Sequence, residues 1–356
     1  MAKPKFFHTI TGQKIPLPIF FPDATRAVLK TLDSSDLEDT HTPGVLVNTF
    51  HLHQDPGASV IDKLGGVRNF MSWSGGVISD SGGFQVLTLA KSINDKGVYF
   101  NKGVFTPQNS IEIQLKLKTD MVVVLDHFTD PKATKTEAED SVNRTLRWAE
   151  ICKKIFDQKT KNLRSKPYLL GVVQGGDYLE LRKVCTKELV KIGFDGLGYG
   201  GWPIQKDGRF NYAVSDIIRQ YSPDNYFLYG LGIGKPHEIV NLIKTGWSIF
   251  DCVLPTRDAR HRRLYVYNAK NIRNIDVNQN KFYSFFTPDK EIYHRDHRPV
   301  SSACDCLLCC RYSRSYLAHL FRIQEMTAGR LATIHNLRFY SLLMEKLQAL
   351  YASLNS

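Results

Sequence analysis

Asp80, Asp126, Gln174 and Asp251 each stand at or near the C-terminal end of a short apolar run. Ser81-Gly82-Gly83-Phe84-Gln85 follows Asp80, Gly175-Gly176 follows Gln174, and Gly200-Gly201 and Gly230 close two further runs. Glycines in such places let backbone N–H groups approach a flat ligand closely. Guanine is one ligand that fits. Its N1–H and N2–H donors suit a carboxylate, and its O6 acceptor suits an amide NH2 or a backbone N–H. Asp126 can be that carboxylate, with Gln174 and the Gly201 N–H as donors. Phe84 and Tyr229 are candidate stacking faces for the ring. Asp80 and Asp251 then remain for chemistry. Two carboxylates flanking a glycosidic bond, one a nucleophile and one a general acid/base, are what a retaining glycosyl transfer needs.

A second cluster points to a metal. Of seven cysteines, Cys304, Cys306, Cys309 and Cys310 fall within seven residues of chain. Cys152, Cys185 and Cys252 are scattered, which predicts reduced thiols rather than a disulfide framework. Cys304-x-Cys306-x2-Cys309 offers three thiolates from one loop, and a fourth ligand must come from elsewhere. Cys310, His319 and His335 all compete for that place. Four protein ligands leave no open coordination position, so the ion expected here is one structural zinc.

These groups need a scaffold that brings strand ends together. Apolar runs recur at 17–21, 45–49, 76–80, 121–126, 168–174, 196–201, 226–230 and 248–254. Several are continuously apolar, as parallel strands buried on both faces are. Helical stretches at 137–156, 177–192 and 236–245 lie between them. The alternation predicts an α/β fold, a (β/α)8 TIM barrel, whose active site lies at the C-terminal ends of the strands. A β-ribbon is expected as an insertion near 86–107. The expected division is a catalytic barrel over 1–290, then a small zinc-binding subdomain and C-terminal helix over 291–356. Residues 331–354 read as one long amphipathic helix.

Lys and Arg total 47 against 35 Asp and Glu, a net charge of +12. Such an excess favours a polyanionic partner, nucleic acid above all. Arg257, Arg260, His261, Arg262 and Arg263 follow the last strand and would grip phosphates beside a flipped base. Apolar residues make up 42% and charged residues 23%, which excludes a disordered or fibrous chain. No apolar run is long enough to span a membrane, and residues 1–9 lack the apolar core of a secretory signal. The expected compartment is the cytoplasm. Gly230-x-Gly232-x-Gly234-Lys235 lacks the spacing of a phosphate-binding Walker loop. His51 and His53 lack a third metal ligand at a useful spacing.

The chain resembles the tRNA-guanine transglycosylase (queuine tRNA-ribosyltransferase) family. The resemblance rests on NTFHL (48–52), DSGGFQV (80–86), VVQGG (172–176), FDGLGYGG (194–201), GLGIGKP (230–236), FDCVLPTRDAR (250–260), CDCLLCCRYSRSYLAHLF (304–321) and HNLRFY (335–340). Together they cover roughly residues 45–345. The resemblance implies exchange of the wobble guanine of GUN-anticodon tRNAs for a 7-deazaguanine. Asp251 would attack C1′ and form a covalent intermediate, with Asp80 as general acid/base. Asp126, Gln174 and Gly201 would hold the base edge and Phe84 would stack on it, with Ser81, Gly200, Tyr229 and Gly230 completing the pocket. Lys235, Thr256, Arg257 and Arg260 would meet the anticodon loop. The family spacing selects His335 to complete the zinc site with Cys304, Cys306 and Cys309. It also implies a homodimer with the zinc region near the interface.

The chain departs from the family pattern at several points. The strand-six loop reads Gly200-Gly201-Trp202-Pro203-Ile204-Gln205-Lys206, where bacterial members commonly have Gly-Gly-Leu-Ala-Val-Gly-Glu. His127-Phe128 replaces Glu-Cys, Tyr229 replaces a frequent Met, and Pro22-Asp23-Ala24-Thr25 matches Pro-Val-Gly-Thr loosely. Arg262 stands where Gly is frequent. Two other readings use the same residues. One is a catalytically silent RNA-binding or accessory subunit, and retention of both Asp80 and Asp251 weighs against it. The other is base exchange in DNA.

Overall fold

The computed structural model describes residues 3–82, 89–101 and 103–353. Eight parallel strands form its centre: β1 (Ile19–Pro22), β2 (Gly44–Asn48), β3 (Gly76–Asp80), β4 (Met121–Val123), β5 (Tyr168–Val173), β6 (Gly196–Tyr199), β7 (Phe227–Gly230) and β8 (Ile249–Cys252). Their order is β1-β8-β7-β6-β5-β4-β3-β2. The ring closes between β1 and β2 through a single parallel bridge, Asp23 to Leu46. There the Ala24 N–H donates to the Leu46 carbonyl at 2.7 Å, and the Asn48 N–H donates to the Thr25 carbonyl at 3.1 Å. The expected (β/α)8 architecture is what the chain adopts. Strands β4 and β8 are shorter than their apolar runs. Their last residues leave the ladder, so Asp126 projects from irregular backbone at the rim.

Helices follow most strands. They include α1 (Ser34–Asp39), α2 (Pro107–Leu117), α3 (Lys135–Thr160), α4 (Leu179–Ile192), α5 (Tyr212–Tyr221), α6 (Pro236–Lys244) and α7 (Leu254–Arg260). The start of α3 is set by a capping box, with Thr134 bound to the Glu137 N–H and Glu137 reaching back to the Thr134 N–H. The ribbon before α2 is a three-stranded antiparallel sheet, Ser92–Asn94, Gly97–Phe100 and Gly103–Phe105. It is tied to α3 at Asp95, which pairs with Arg144 and Arg147 and accepts the Trp148 indole N–H on its carbonyl.

A hairpin of Phe6–His8 and Lys14–Pro16 plugs the opposite end of the barrel. Its wholly buried Phe7 packs on Phe21, Tyr168 and Phe227. The eighth helical position is taken by the long C-terminal helix α9 (Met326–Ser353); the short α8 (Arg314–Arg322) packs beside it. Helix α9 lies against α6, α7 and β1 on one side and the cysteine-bearing segment on the other. The expected amphipathic character fails over its first half, because residues 331–344 are buried all round. Among the described residues no helix is long and apolar enough to cross a membrane.

Candidate active site and metal centre

The C-terminal ends of the strands converge on one mouth. Asp80 closes β3, partly exposed among dense neighbours. Its carboxylate accepts the Asn48 amide at 2.8 Å and the N–H groups of Thr49 and Gly82 at 3.2 and 3.1 Å. Asp251 lies within β8 and is buried. It accepts the Gly232 N–H at 2.9 Å. Burial pushes the Asp80 carboxyl up to about 7, reinforced by the nearby charges of Asp23 and Asp251. Burial also pushes Asp251 up to about 7, with the Gly232 hydrogen bond opposing the rise and the Asp23 charge adding to it. Two carboxyls titrating together near neutrality can hold one proton between them. That leaves one charged nucleophile and one acid, the division a retaining transfer needs.

Asp126 faces the same mouth and is buried. It accepts the Gln174 amide at 2.6 Å and the Ser81 hydroxyl at 3.3 Å. The Gln174 oxygen accepts both the N–H and the hydroxyl of Thr129 at 3.1 Å, so the amide NH2 must face Asp126 and the pocket. Burial raises Asp126 to about 6, opposed by these two donors. At neutral pH it is therefore mostly ionised and able to accept two N–H groups. Gly200 is required by space. A Cβ there would lie 2.6 Å from the Gln174 amide nitrogen and 2.5 Å from Val172. Gly201 is required by conformation, with φ of +80°. The wholly buried Arg182 guanidinium holds this corner by donating to the carbonyls of Gly176, Val173 and Gly200.

Of the other expected site residues, Phe84 lies outside the described residues. Gly230 closes β7, where a Cβ would lie 2.9 Å from the Phe250 ring. Tyr229 is wholly buried and presents no open ring face for stacking; its hydroxyl lies beside Asp251 instead. Lys235 precedes α6, half-exposed, and pairs with Glu238 at 3.1 Å. Thr256 differs from expectation. It is buried in the first turn of α7, and its hydroxyl donates to the Val253 carbonyl at 3.1 Å, so it offers nothing to a phosphate. Arg257 is exposed, and Arg260 is partly so, its Nε donating to the Thr256 carbonyl. Neither pairs with a carboxylate among the described residues. Arg262 and Arg263 are engaged, with Asp289 and Asp258.

Sequence reasoning passed over Asp23. It follows β1 on the same rim, accepts the Thr25 hydroxyl at 2.7 Å, and is raised by burial. The rule that flagged Asp80 and Asp126, a carboxylate just past a strand, applies to it equally. Asn48 was also missed: it caps its own helix and donates to Asp80.

The second centre joins Cys304, Cys306, Cys309 and His335, whose ligand atoms all lie within 4.8 Å of one another. His335 Nδ1 is 3.2 Å from the Cys309 sulfur and 3.5 Å from that of Cys306. A tetrahedral ion with bonds of about 2.0 Å to nitrogen and 2.3 Å to sulfur spans edges of about that length. The other ring nitrogen donates to the Tyr265 carbonyl at 2.8 Å, which fixes the tautomer that frees Nδ1 for a metal. Cys310 and His319 stand outside the cluster, both exposed. Arg338 of α9 grips Asp305, between two of the cysteines, at 2.6 and 3.0 Å.

Comparison with known proteins agrees with this geometry. The family model described as queuine tRNA-ribosyltransferase matches residues 6–350. The chain is 38% identical to the queuine tRNA-ribosyltransferase of Blochmanniella pennsylvanica over 94% of this chain and 88% of that one. It is 36% identical to that of Clostridium tetani over 98% and 91%, and 35% identical to that of Halothermothrix orenii over 94% and 86%. With the barrel, its paired carboxylates and the Cys3His cluster all in place, the chain belongs to the queuine tRNA-ribosyltransferase family.

Proposed function

We propose that this protein exchanges a guanine of tRNA for a 7-deazaguanine base, at the wobble position of GUN anticodons. The observation that carries the reading is that Asp80 and Asp251 share one mouth with a preset guanine-edge reader, Asp126 and Gln174. The Asp251 carboxylate attacks C1′ of the ribose. The C1′–N9 bond breaks, its electron pair goes to guanine, and protonated Asp80 supplies the proton that lets guanine leave neutral. The incoming base gives its N9 proton to Asp80, attacks C1′ and expels Asp251. No phosphodiester is cut and no nucleotide triphosphate is consumed. Arg257 and Arg260 supply free positive charge at the rim for the RNA backbone.

The Cys3His cluster holds one zinc ion. Its four ligands leave no place for substrate, so the metal's contribution is to fasten the cysteine loop to α9. A homodimer with the zinc region near its interface belongs to the same reading. The test is incorporation of labelled guanine into unmodified GUN-anticodon tRNA, with the aminomethyl, cyano and queuine bases as competitors. Incorporation that is lost in Asp251→Asn supports the reading. Folded, metal-loaded protein that exchanges nothing would sink it.

A further inference from the structure

Trp202 stands just past β6 on the rim of the mouth, next to Gly201. Gly201 is so close to the base reader that a Cβ there would lie 3.2 Å from the Gln174 oxygen. The backbone of Trp202 is held from both sides. Gly201 precedes it with a φ of +80°, and Pro203 follows it, which confines Trp202 itself to extended backbone. Residues 203–211 then form a small hairpin. The Asn211 N–H donates to the Pro203 carbonyl at 2.9 Å, the Gln205 N–H to the Arg209 carbonyl at 2.8 Å, and Ile204 bridges to Phe210. Phe210 is buried against Tyr199, and the Asn211 amide donates to Asp177 at 2.9 Å.

The indole on this anchored backbone is bare. Trp202 is 51% exposed, whereas Trp73, Trp148 and Trp247 are buried. The Trp148 and Trp247 rings lie against His127 and Tyr199. Among the described residues the Trp202 ring meets no aromatic and no cation, and its N–H has no hydrogen bond. Lys206, in the same hairpin, is exposed and has no carboxylate partner among the described residues, while Arg209 is engaged with Asp207.

A guanine reaches Asp126 and Gln174 only by leaving the stack of its loop, which bares the faces of the bases on either side of it. A flat, uncommitted ring one residue past Gly201, with an unpaired cation in its hairpin, fits such a face and its phosphate. We propose that Trp202 is a stacking platform for the anticodon-loop base next to the exchanged guanine, with Lys206 on the RNA backbone. The inference rests on the transfer reading above and adds the contact that receives the neighbour of the flipped base. Ring and backbone are already in place, so docking costs little conformational entropy. Stacking of this kind tolerates any base, so it adds affinity for the unstacked loop rather than a sequence preference.

Trp202 is the one exposed tryptophan of four, so acrylamide quenching of the zinc-loaded protein's emission reads it alone. An unmodified GUN-anticodon stem-loop should remove the quenchable fraction. Trp202→Ala should weaken binding of that RNA about 10-fold and Trp202→Phe by less than about 3-fold, with the KM for free guanine changed by less than about 2-fold. Stem-loops lacking the base on the 5′ or the 3′ side of the target guanine identify the partner. One of the two should bind wild-type protein about 10-fold more weakly and lose nothing further with Trp202→Ala. An indole still open to acrylamide in the complex would overturn the proposal, as would abasic losses that both add in full to that of Trp202→Ala. So would a raised KM for the free 7-deazaguanine at unchanged RNA affinity, which would set the indole against the incoming base instead. RNA that covers the indole without any exchange would sink the transfer reading and leave the platform standing; exchange with the indole left open would do the reverse.

Discussion

Replacing Asp251, the proposed nucleophile, should make the protein more stable, and mainly at high pH. Asp251 is buried, and its folded carboxyl is raised from 3.8 to about 7. Above its unfolded value the unfolded chain loses the proton that the folded chain keeps, so wild-type stability falls as pH rises from about 4 to about 7 and is level thereafter. The full cost is about 3 pKa units, or about 4 kcal/mol. Asp251→Asn keeps an oxygen to accept the Gly232 N–H and removes the titration. Unfolding entropy scales to about 0.7 kcal/mol per degree for a chain of this size, so the variant should melt about 5 °C higher near pH 8.5. Near pH 4.5 only about 1 kcal/mol of the cost has accrued, and the gain should shrink to about 1 °C. Differential scanning calorimetry of metal-loaded protein at both pH values reads this directly, with exchange activity lost at each. A variant that melts lower at both, or higher by the same amount at both, would refute the claim that Asp251 is held against a desolvation penalty.

Asp126→Ala should raise the KM for guanine by about 10- to 100-fold, the worth of a charge-assisted contact, with a smaller loss in kcat; steady-state kinetics separates the two. Gly200→Ala drives a Cβ into the Gln174 amide and Val172, so it should cost about 1–3 kcal/mol in a denaturant melt and most of the exchange activity. Arg257→Ala with Arg260→Ala should reduce the salt dependence of tRNA binding by about two counterions while leaving kcat at saturating RNA near wild type, as a binding titration across salt would show. Metal analysis should return one zinc per chain, and chelation or His335→Ala should lower the melting temperature before it changes any kinetic constant of the remaining folded fraction.

The eight strands were legible because a barrel strand buried on both faces is largely apolar, and short runs such as Met121–Val123, bounded by turns and alternating with helical stretches, fit that pattern. The rim residues followed from where those runs end. Tyr229 was harder, because sequence gives the end of a strand but not the direction of a side chain. Thr256 looked like a phosphate ligand beside two arginines, yet it bonds within its own helical turn. The long helix was misread for a different reason. Asn336 and Arg338 mark what looks like a solvent face, but each is itself buried and fully engaged. Asn336 donates to the carbonyls of Pro255 and Arg263 and accepts the Tyr265 N–H at 3.0 Å, while Arg338 binds Asp305 and Glu345. Polar residues satisfied by distant backbone carry no local signal of burial.

That helix also ties together parts of the chain that lie far apart in sequence. It supplies His335 to the metal centre and packs against β1, some three hundred residues earlier in the chain. The helix lies against β1, whose link to β2 is the Asp23–Leu46 bridge. A metal held by the three thiolates and His335 would fasten the cysteine loop to the helix, and through the helix to β1. Without residues 326–353 the rim carboxylates would sit on a barrel with one wall missing. Loss of an ion from that cluster would thus be felt at the first strand of the barrel as well as at the cysteines.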